Sequence, residues 1–259
     1  MTKLDPNEYI PFSEQIMNLS GQIIKKYYKK DIDFEIKEDS SPVTKADKEV
    51  ERSIRALIKS TYPNHGIIGE EFEDTNIDAE YKWVIDPIDG TKSFMIRRPI
   101  FGTLLSLLHN ELPILGIIDQ PILGERWTGA AGYATNFNSN ITETRECSCL
   151  AEAVLCTTSP NLFSDDDFIK FEDIRKKSQY VVYGGDCYSY GLLARGDVDV
   201  VIETGLKIHD FLAFRPIIEG AKGIITDWEG NPITYNSDGR VLACGDKKVH
   251  KEIIRMLNN

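Results

Sequence analysis

Basic charge, cysteine, histidine and long apolar runs are all scarce in this 259-residue chain, and each shortage removes a class of function. Lys and Arg number 30 against 41 Asp and Glu, for a net charge of −11. With no extended Lys/Arg block, the surface is set against nucleic acid and anionic membranes. No run approaches the ~18 apolar residues of a membrane span, and the opening MTKLDPNEYI has no apolar signal core, so a cytoplasmic protein is expected. The five cysteines, Cys147, Cys149, Cys156, Cys187 and Cys244, are odd in number and lack Cys/His zinc spacing, so they read as reduced thiols. His65, His109 and His250 share no spacing that suggests chemistry. What is plentiful is apolar material, 41% of residues, enough for one large domain or two medium ones.

The chain is organised around WVIDPIDGT, Trp83 to Thr91. Trp83, Val84 and Ile85 read as a buried strand that ends at Asp86 and turns through Pro87 and Gly90. A strand's C-terminal end is where α/β proteins build their sites. Gly90 lets the backbone approach a ligand, the Gly90 and Thr91 amides are available to an anion, and Asp86 and Asp89 to a hard cation. Read alone, Asp-Pro and Asp-Gly are ordinary turn dipeptides. Two further acids change the weighing: Glu70 and Glu71 after the apolar pair Ile67-Ile68, and Asp210 in KIHDFLAF. Charges converging to ~4 Å would repel by about 4 kcal/mol per pair at an effective dielectric of 20, so such a cluster needs metal.

Phe12, Ile16, Leu19, Ile23 and Tyr27 recur at steps of three and four and predict a first amphipathic helix, with its lysines toward solvent. After the polar DIDFEIKEDSSP, Thr44 and Asp47 have capping-box spacing ahead of a second helix through Val50, Ile54, Leu57 and Ile58. Read alone, Asp47 is that helix's first-turn acid. The acidic FEDTNIDAEY reads as a surface loop free to move near the metals. FGTLLSLLH and PILGIID predict a hairpin, and GERWTGAAGYAT a further strand, giving two helices against an antiparallel sheet. The polar stretch 136–151 marks a boundary, dividing the chain into residues 1–145 and 146–259. Beyond it AVLCTT, YVVY, DVDVVI, GIITDW and RVLACG alternate with helical segments near 163–177, 186–195, 209–221 and 246–257, a βαβ-type pattern. Pro216 predicts a bend inside the third of these helices.

GEE at 69–71, DPIDGT at 86–91 and HD at 209–210 resemble the three metal-site motifs of the inositol monophosphatase family, lithium-sensitive, magnesium-dependent phosphatases related to fructose bisphosphatase. The resemblance covers nearly the whole chain and implies an α/β fold, a layered αβαβα sandwich of two subdomains with the site between them. It implies two or three Mg2+: one held by Glu70, Asp86 and the Ile88 carbonyl, another by Asp86, Asp89 and Asp210. It makes Asp47, Thr91 and Glu70 the catalytic residues, with Thr91 hydrogen-bonded to Asp47 to take a proton from the attacking water, and the Gly90 and Thr91 amides the phosphate cradle. Members are usually homodimers acting on small phosphorylated metabolites. This chain departs from the pattern at His209, where relatives commonly have Trp, and at Phe211-Leu212, where they have small residues. His209 reads as a packed neighbour, because imidazole suits magnesium poorly.

Within the family, DPIDGTKSF, FGTLLSLLHN, LGIIDQPILGERWTG and YGGDCYSYGLLARG are most similar to the histidinol-phosphatase branch. The resemblance places Gly185, Asp186 and Glu203 against the organic part of the substrate, and two carboxylates suit an ammonium or imidazolium. Read alone, Asp186 is a helix N-cap. The alternatives are an inositol-1-monophosphatase or broad sugar phosphatase, which Glu203 also matches, and the phosphoadenosine-phosphate branch, suggested by Lys92 after DGT with Arg97 and Arg98 near. From another class comes a binding partner of the transcription machinery, which would have no reason to keep the carboxylate set.

Overall fold

The computed structural model describes residues 5–28, 34–36 and 42–259. A 3-10 turn at Pro6–Tyr9, capped where Asp5 accepts the Asn7 amide at 3.0 Å, leads into α1 (Ile10–Tyr28). Phe12, Ile16 and Ile23 of α1 are buried, Leu19 and Tyr27 pack at the rim of the same cluster, and Lys25 and Lys26 face solvent, as their spacing predicts. The polar connector 31–42 lies largely outside the described residues; its described parts, β1 (Phe34–Ile36) and β2 (Pro42–Thr44), pair antiparallel. The expected capping box opens α2 (Lys45–Thr61): Thr44 Oγ1 accepts the Ala46 and Asp47 amides at 3.1 and 3.4 Å, and Asp47 Oδ2 accepts the Thr44 amide at 2.8 Å.

The first sheet follows, built from β3 (Gly66–Gly69), β4 (Tyr81–Asp89), β5 (Gly102–His109), β6 (Leu112–Gln120), β7 (Glu125–Ala130), β8 (Asn136–Phe137) and β9 (Asn140–Ile141) in that order, with α3 (Thr91–Met95) between β4 and β5. The predicted β5–β6 hairpin turns on Asn110 and Glu111, both at positive φ (46° and 67°), as a two-residue type I′ turn requires. The sheet is antiparallel except where β3 joins β4 in parallel. Nearly every residue of β5 and β6 is buried, so these strands are mostly apolar on both faces instead of alternating, with Thr103, Ser106, Asp119 and Gln120 the buried polar exceptions.

The second sheet holds β10 (Val154–Thr157), β11 (Tyr180–Tyr183), β12 (Val200–Glu203), β13 (Ile224–Thr226) and β14 (Val241–Cys244) in the order β11-β10-β12-β14-β13. Its helices are α4 (Asp165–Lys177), α5 (Asp186–Ala194), α6 (Ile208–Phe211), α7 (Phe214–Gly220) and α8 (Lys247–Leu257). The expected βαβ pattern holds for β10, β11 and β12, which run parallel with helices between them. It fails for β14, antiparallel to both neighbours: the 227–240 connection carries no helix, and antiparallel pairing needs no crossover. The single bent helix expected over 209–221 is two helices. Pro216 offers no N–H to the Leu212 carbonyl, and in an unbroken helix its ring would crowd that carbonyl; the break falls at Leu212–Ala213 and Pro216 sits in the first turn of α7.

Three buried clusters stack these parts into an αβαβα sandwich. One lies between α1, α2 and the first sheet, a second joins both sheets through α5, α6 and α7, and the third fills the space under α4 and α8.

Candidate active site

The strand in WVIDPIDGT does not stop at Asp86; β4 runs on through Pro87 to Asp89. Asp86 lies opposite Leu104 and Asp89 opposite Gly102, so three steps on β4 face two on β5, which is a bulge of one residue. A regular strand would send Asp86 and Asp89 to opposite faces; the extra residue returns both carboxylates to one side. Pro87, unable to donate to a ladder, occupies the bulge, and its carbonyl accepts Thr103 Oγ1 at 2.9 Å, itself 2.6 Å from Ser20 Oγ. Gly90 then turns the chain at φ +80°, and a Cβ there would stand 2.8 Å from Asp186 Oδ2, so glycine is required twice over. The α6 helix brings in Asp210, and carboxylate oxygens of Asp86, Asp89 and Asp210 lie within 4.8 Å of one another. Backbone amides hold two of them: Cys187 N–H donates to Asp89 at 2.6 Å and Lys207 N–H to Asp210 at 2.7 Å. Glu70, just past β3, and Asp47, on α2, stand near enough for their charges to act on Asp86.

Burial is the leading cause of every shift at this site. It drives Asp86 and Asp89 well above the ordinary carboxylate range and raises Asp210. Like charge adds to it, from Glu70, Asp89, Asp210 and Asp47 at Asp86, and from Asp186 and Asp210 at Asp89. Asp47 rises to about 6 although the Thr44 hydroxyl and amide favour its charged form. Asp86 Oδ1 and Asp47 Oδ1 are buried and accept no hydrogen bond. Each such orphan costs about 1–3 kcal/mol, and an oxygen-only donor set suits a hard cation. These residues fit magnesium. His209 packs beside them, with Nε2 3.4 Å from Asp210 Oδ1.

Around the cluster, the structure departs from the residue roles that the resemblance implies. The Thr91–Asp47 hydrogen bond is not formed: the α3 turn folds Thr91 Oγ1 back onto the Ile88 carbonyl at 3.1 Å, while Asp47 Oδ2 accepts both the amide and the hydroxyl of Thr44. Asp186 does not cap α5; Gly185 is the N-cap residue, and Asp186, at φ +44°, accepts Ser93 Oγ at 2.9 Å with Lys92 and Arg98 nearby. Glu203 is buried with both oxygens engaged, by the Thr158 amide at 2.8 Å and the Tyr190 hydroxyl at 3.1 Å, and burial lifts it to about 7. A cavity of about 150 Å³ opens against Asp89, Asp186, Glu203, Asp210, Leu206 and Phe214; Gly185 does not line it. A larger one, about 660 Å³, lies between α1 and the β6–β8 region, away from the cluster. Ser93 and the Cys187 amide carry no motif of their own in the sequence; only adjacency to DGT and to Asp186 marks them.

Carboxylates packed this closely can meet a phosphate ester only with cations between them, and the named phosphatases among the relatives place the chain among phosphoric monoester hydrolases. The chain belongs to the inositol monophosphatase family, whose profile matches residues 5–259. It is 44% identical over 265 residues to the bifunctional phosphatase IMPL2, chloroplastic, of Arabidopsis thaliana, covering 99% of this chain and 76% of that protein. It is 30% identical to the histidinol-phosphatase of Chlorobaculum parvum, with 88% and 89% covered. Among solved structures, an inositol monophosphatase from Zymomonas mobilis superposes with a TM-score of 0.90 at 40% identity, over 99% of this chain and 100% of that one. Members of the family are generally magnesium-dependent and act on small phosphorylated substrates. Among the described residues no helix is long and apolar enough to cross a membrane.

Proposed function

We propose that the protein is a magnesium-dependent phosphatase for a small ester with a cationic organic group, histidinol phosphate being the best fit. The observation that carries this reading is Asp186, a half-buried carboxylate on the wall of a small cavity beside the Asp86–Asp89–Asp210 cluster. The volume, about 150 Å³, lies below the ~300–1,000 Å³ typical of drug-sized sites and favours a compact group. The relationship to a histidinol-phosphatase points the same way. Glu203, with both oxygens engaged, serves as cavity wall in this reading and leaves the cationic contact to Asp186.

Glu70, Asp86, the Ile88 carbonyl, Asp89 and Asp210 would hold the cations; residues 1–145 then carry most ligands, and 146–259 close the site. Magnesium, when bound, supplies Lewis-acid stabilisation of the phosphoryl oxygens and a more acidic attacking water. Thr91, anchored on Ile88, orients that water, and Asp47, lifted to about 6 with one oxygen uncommitted, takes its proton. The Gly90 and Thr91 amides donate to the phosphoryl oxygens as charge builds in an in-line attack. A second reading, favoured by Lys92 and Arg98 beside Asp186, is an ester bearing a second anionic group. Comparing kcat/KM for histidinol phosphate, inositol 1-phosphate and a nucleoside bisphosphate decides between them: histidinol phosphate should lead, and a clear preference for either of the others overturns the assignment.

A further inference from the structure

Three charged residues at steps of four, Asp47, Glu51 and Arg55, lie on the core-facing side of α2 at 0%, 0% and 7% exposure. Asp47 belongs to the carboxylate site; the other two form a buried ion pair, Arg55 Nε to Glu51 Oε1 at 2.7 Å. Apolar side chains would serve a helix core at least as well as such a pair, so its remaining contacts are informative. Glu51 Oε2 accepts the Glu71 amide at 2.7 Å, and Arg55 Nη2 donates to the Phe72 carbonyl at 2.9 Å. On the other side of Glu70 the fit is tight: a Cβ at Gly69 would stand 2.0 Å from Glu51 Oε1. The Arg52 guanidinium lies over the Phe72 ring, 5.5 Å from its centroid. The backbone flanking Glu70 is therefore fastened to the helix that carries Asp47. The acidic segment beyond it is tied down as well, through the Ile67–Thr75 bridge and Lys82 Nζ to the Ile77 carbonyl at 3.1 Å, where its composition suggested a free loop.

We infer that Glu51 and Arg55 are positioning residues that set Glu70 against the Asp86 cluster, so that Asp47 and Glu70 are carried on one rigid unit. The inference rests on the proposed reading of Glu70 as a metal ligand. Residues that orient a metal's ligands typically change affinity by 10- to 100-fold when removed.

The test replaces the pair by side chains of similar bulk in Glu51→Met/Arg55→Met, which removes both backbone anchors; exchanging the pair itself is near neutral or stabilising, and the released Glu71 amide and Phe72 carbonyl, on half-buried residues, turn to water. Mg2+ binding to the EDTA-stripped protein is measured by calorimetry without ester, alongside Glu70→Gln. The expected result is an unfolding midpoint close to that of wild type, Mg2+ binding weaker by about 10- to 100-fold in both variants, and an unchanged KM for the ester at saturating Mg2+ in the double variant. Wild-type Mg2+ affinity in the double variant with weakened binding in Glu70→Gln overturns the clamp and leaves the metal reading standing. Wild-type affinity in Glu70→Gln overturns both. Should the double variant not fold, Glu51→Gln and Arg55→Lys, each keeping one anchor, carry the comparison: weakening smaller than that of Glu70→Gln supports the clamp, and wild-type affinity in both refutes it.

Discussion

Replacing Asp86 by Asn should make the metal-free protein more stable while destroying its function. Asp86 is 2% exposed and shares a space in which its oxygens lie within 4.8 Å of those of Asp89 and Asp210. At an effective dielectric near 20, two ionised carboxylates at that separation repel by about 3 kcal/mol. Burial and its charged neighbours raise Asp86 above the ordinary carboxylate range, so the net gain in the variant is a part of this, about 1–3 kcal/mol. At about 2–4 °C per kcal/mol, the midpoint in EDTA should rise by several degrees. Magnesium should reverse the order: at about 100-fold excess over its Kd it adds about 2.7 kcal/mol to the wild type, and the variant, lacking the carboxylate proposed for both ligand sets, should gain much less. Turnover should fall by at least ~10-fold. Thermal unfolding in EDTA and in excess Mg2+, with a phosphate-release assay, measures all three. A variant less stable than wild type without metal would refute the repulsion argument, and one stabilised equally by Mg2+ would refute the place of Asp86 among the ligands.

Glu203 makes a pH prediction. Its folded-state value, near 7 against an ordinary 4.5, means the folded protein holds a proton that the unfolded chain gives up, so its contribution is fully present below about pH 4.5 and is lost as pH rises through 7. At 1.36 kcal/mol per unit the loss is about 3 kcal/mol, so the metal-free stability of wild type relative to Glu203→Gln should fall by about that much between pH 4 and 8; a flat difference in urea midpoints would show the carboxyl is not desolvated. Asp186→Asn should lower kcat/KM for histidinol phosphate by roughly 10- to 100-fold, the loss of a charge-assisted bond of about 1.5–3 kcal/mol, and leave p-nitrophenyl phosphate nearly untouched. An equal fall on both substrates would make Asp186 structural. Lithium at millimolar levels should inhibit by taking the oxygens of Asp89 and Asp210; absence of inhibition across a magnesium titration would mean the second ligand set is misplaced.

Much of this site could be read in advance because its information is local. DPIDGT carries two carboxylates and a glycine turn in six residues, the acids of GEE follow the apolar pair Ile67-Ile68, and Asp210 stands just ahead of the apolar run Phe211–Phe214. What could not be read depends on counts and contacts between elements. The β4 bulge exists only as a mismatch between β4 and β5, so nothing inside WVIDPIDGT shows that the strand continues to Asp89. The orientation of β14 depends on what connects it to β13, not on its own residues. The Thr91 hydroxyl is claimed by a carbonyl three residues earlier, and Glu203 is saturated by Thr158 and Tyr190, partners far apart in sequence. Glu51 and Arg55 did leave a trace, as charged residues on the apolar side of α2 between Val50, Ile54 and Ile58, but their purpose shows only once the Glu71 amide and the Phe72 carbonyl are seen against them.

The most direct test of the central claim is the rate of phosphate release from histidinol phosphate by protein stripped with EDTA, followed as Mg2+ is restored. No turnover is expected at the outset, followed by a saturable recovery that Asp86→Asn does not show. Full turnover in EDTA, or none at any Mg2+ concentration, would contradict the claim.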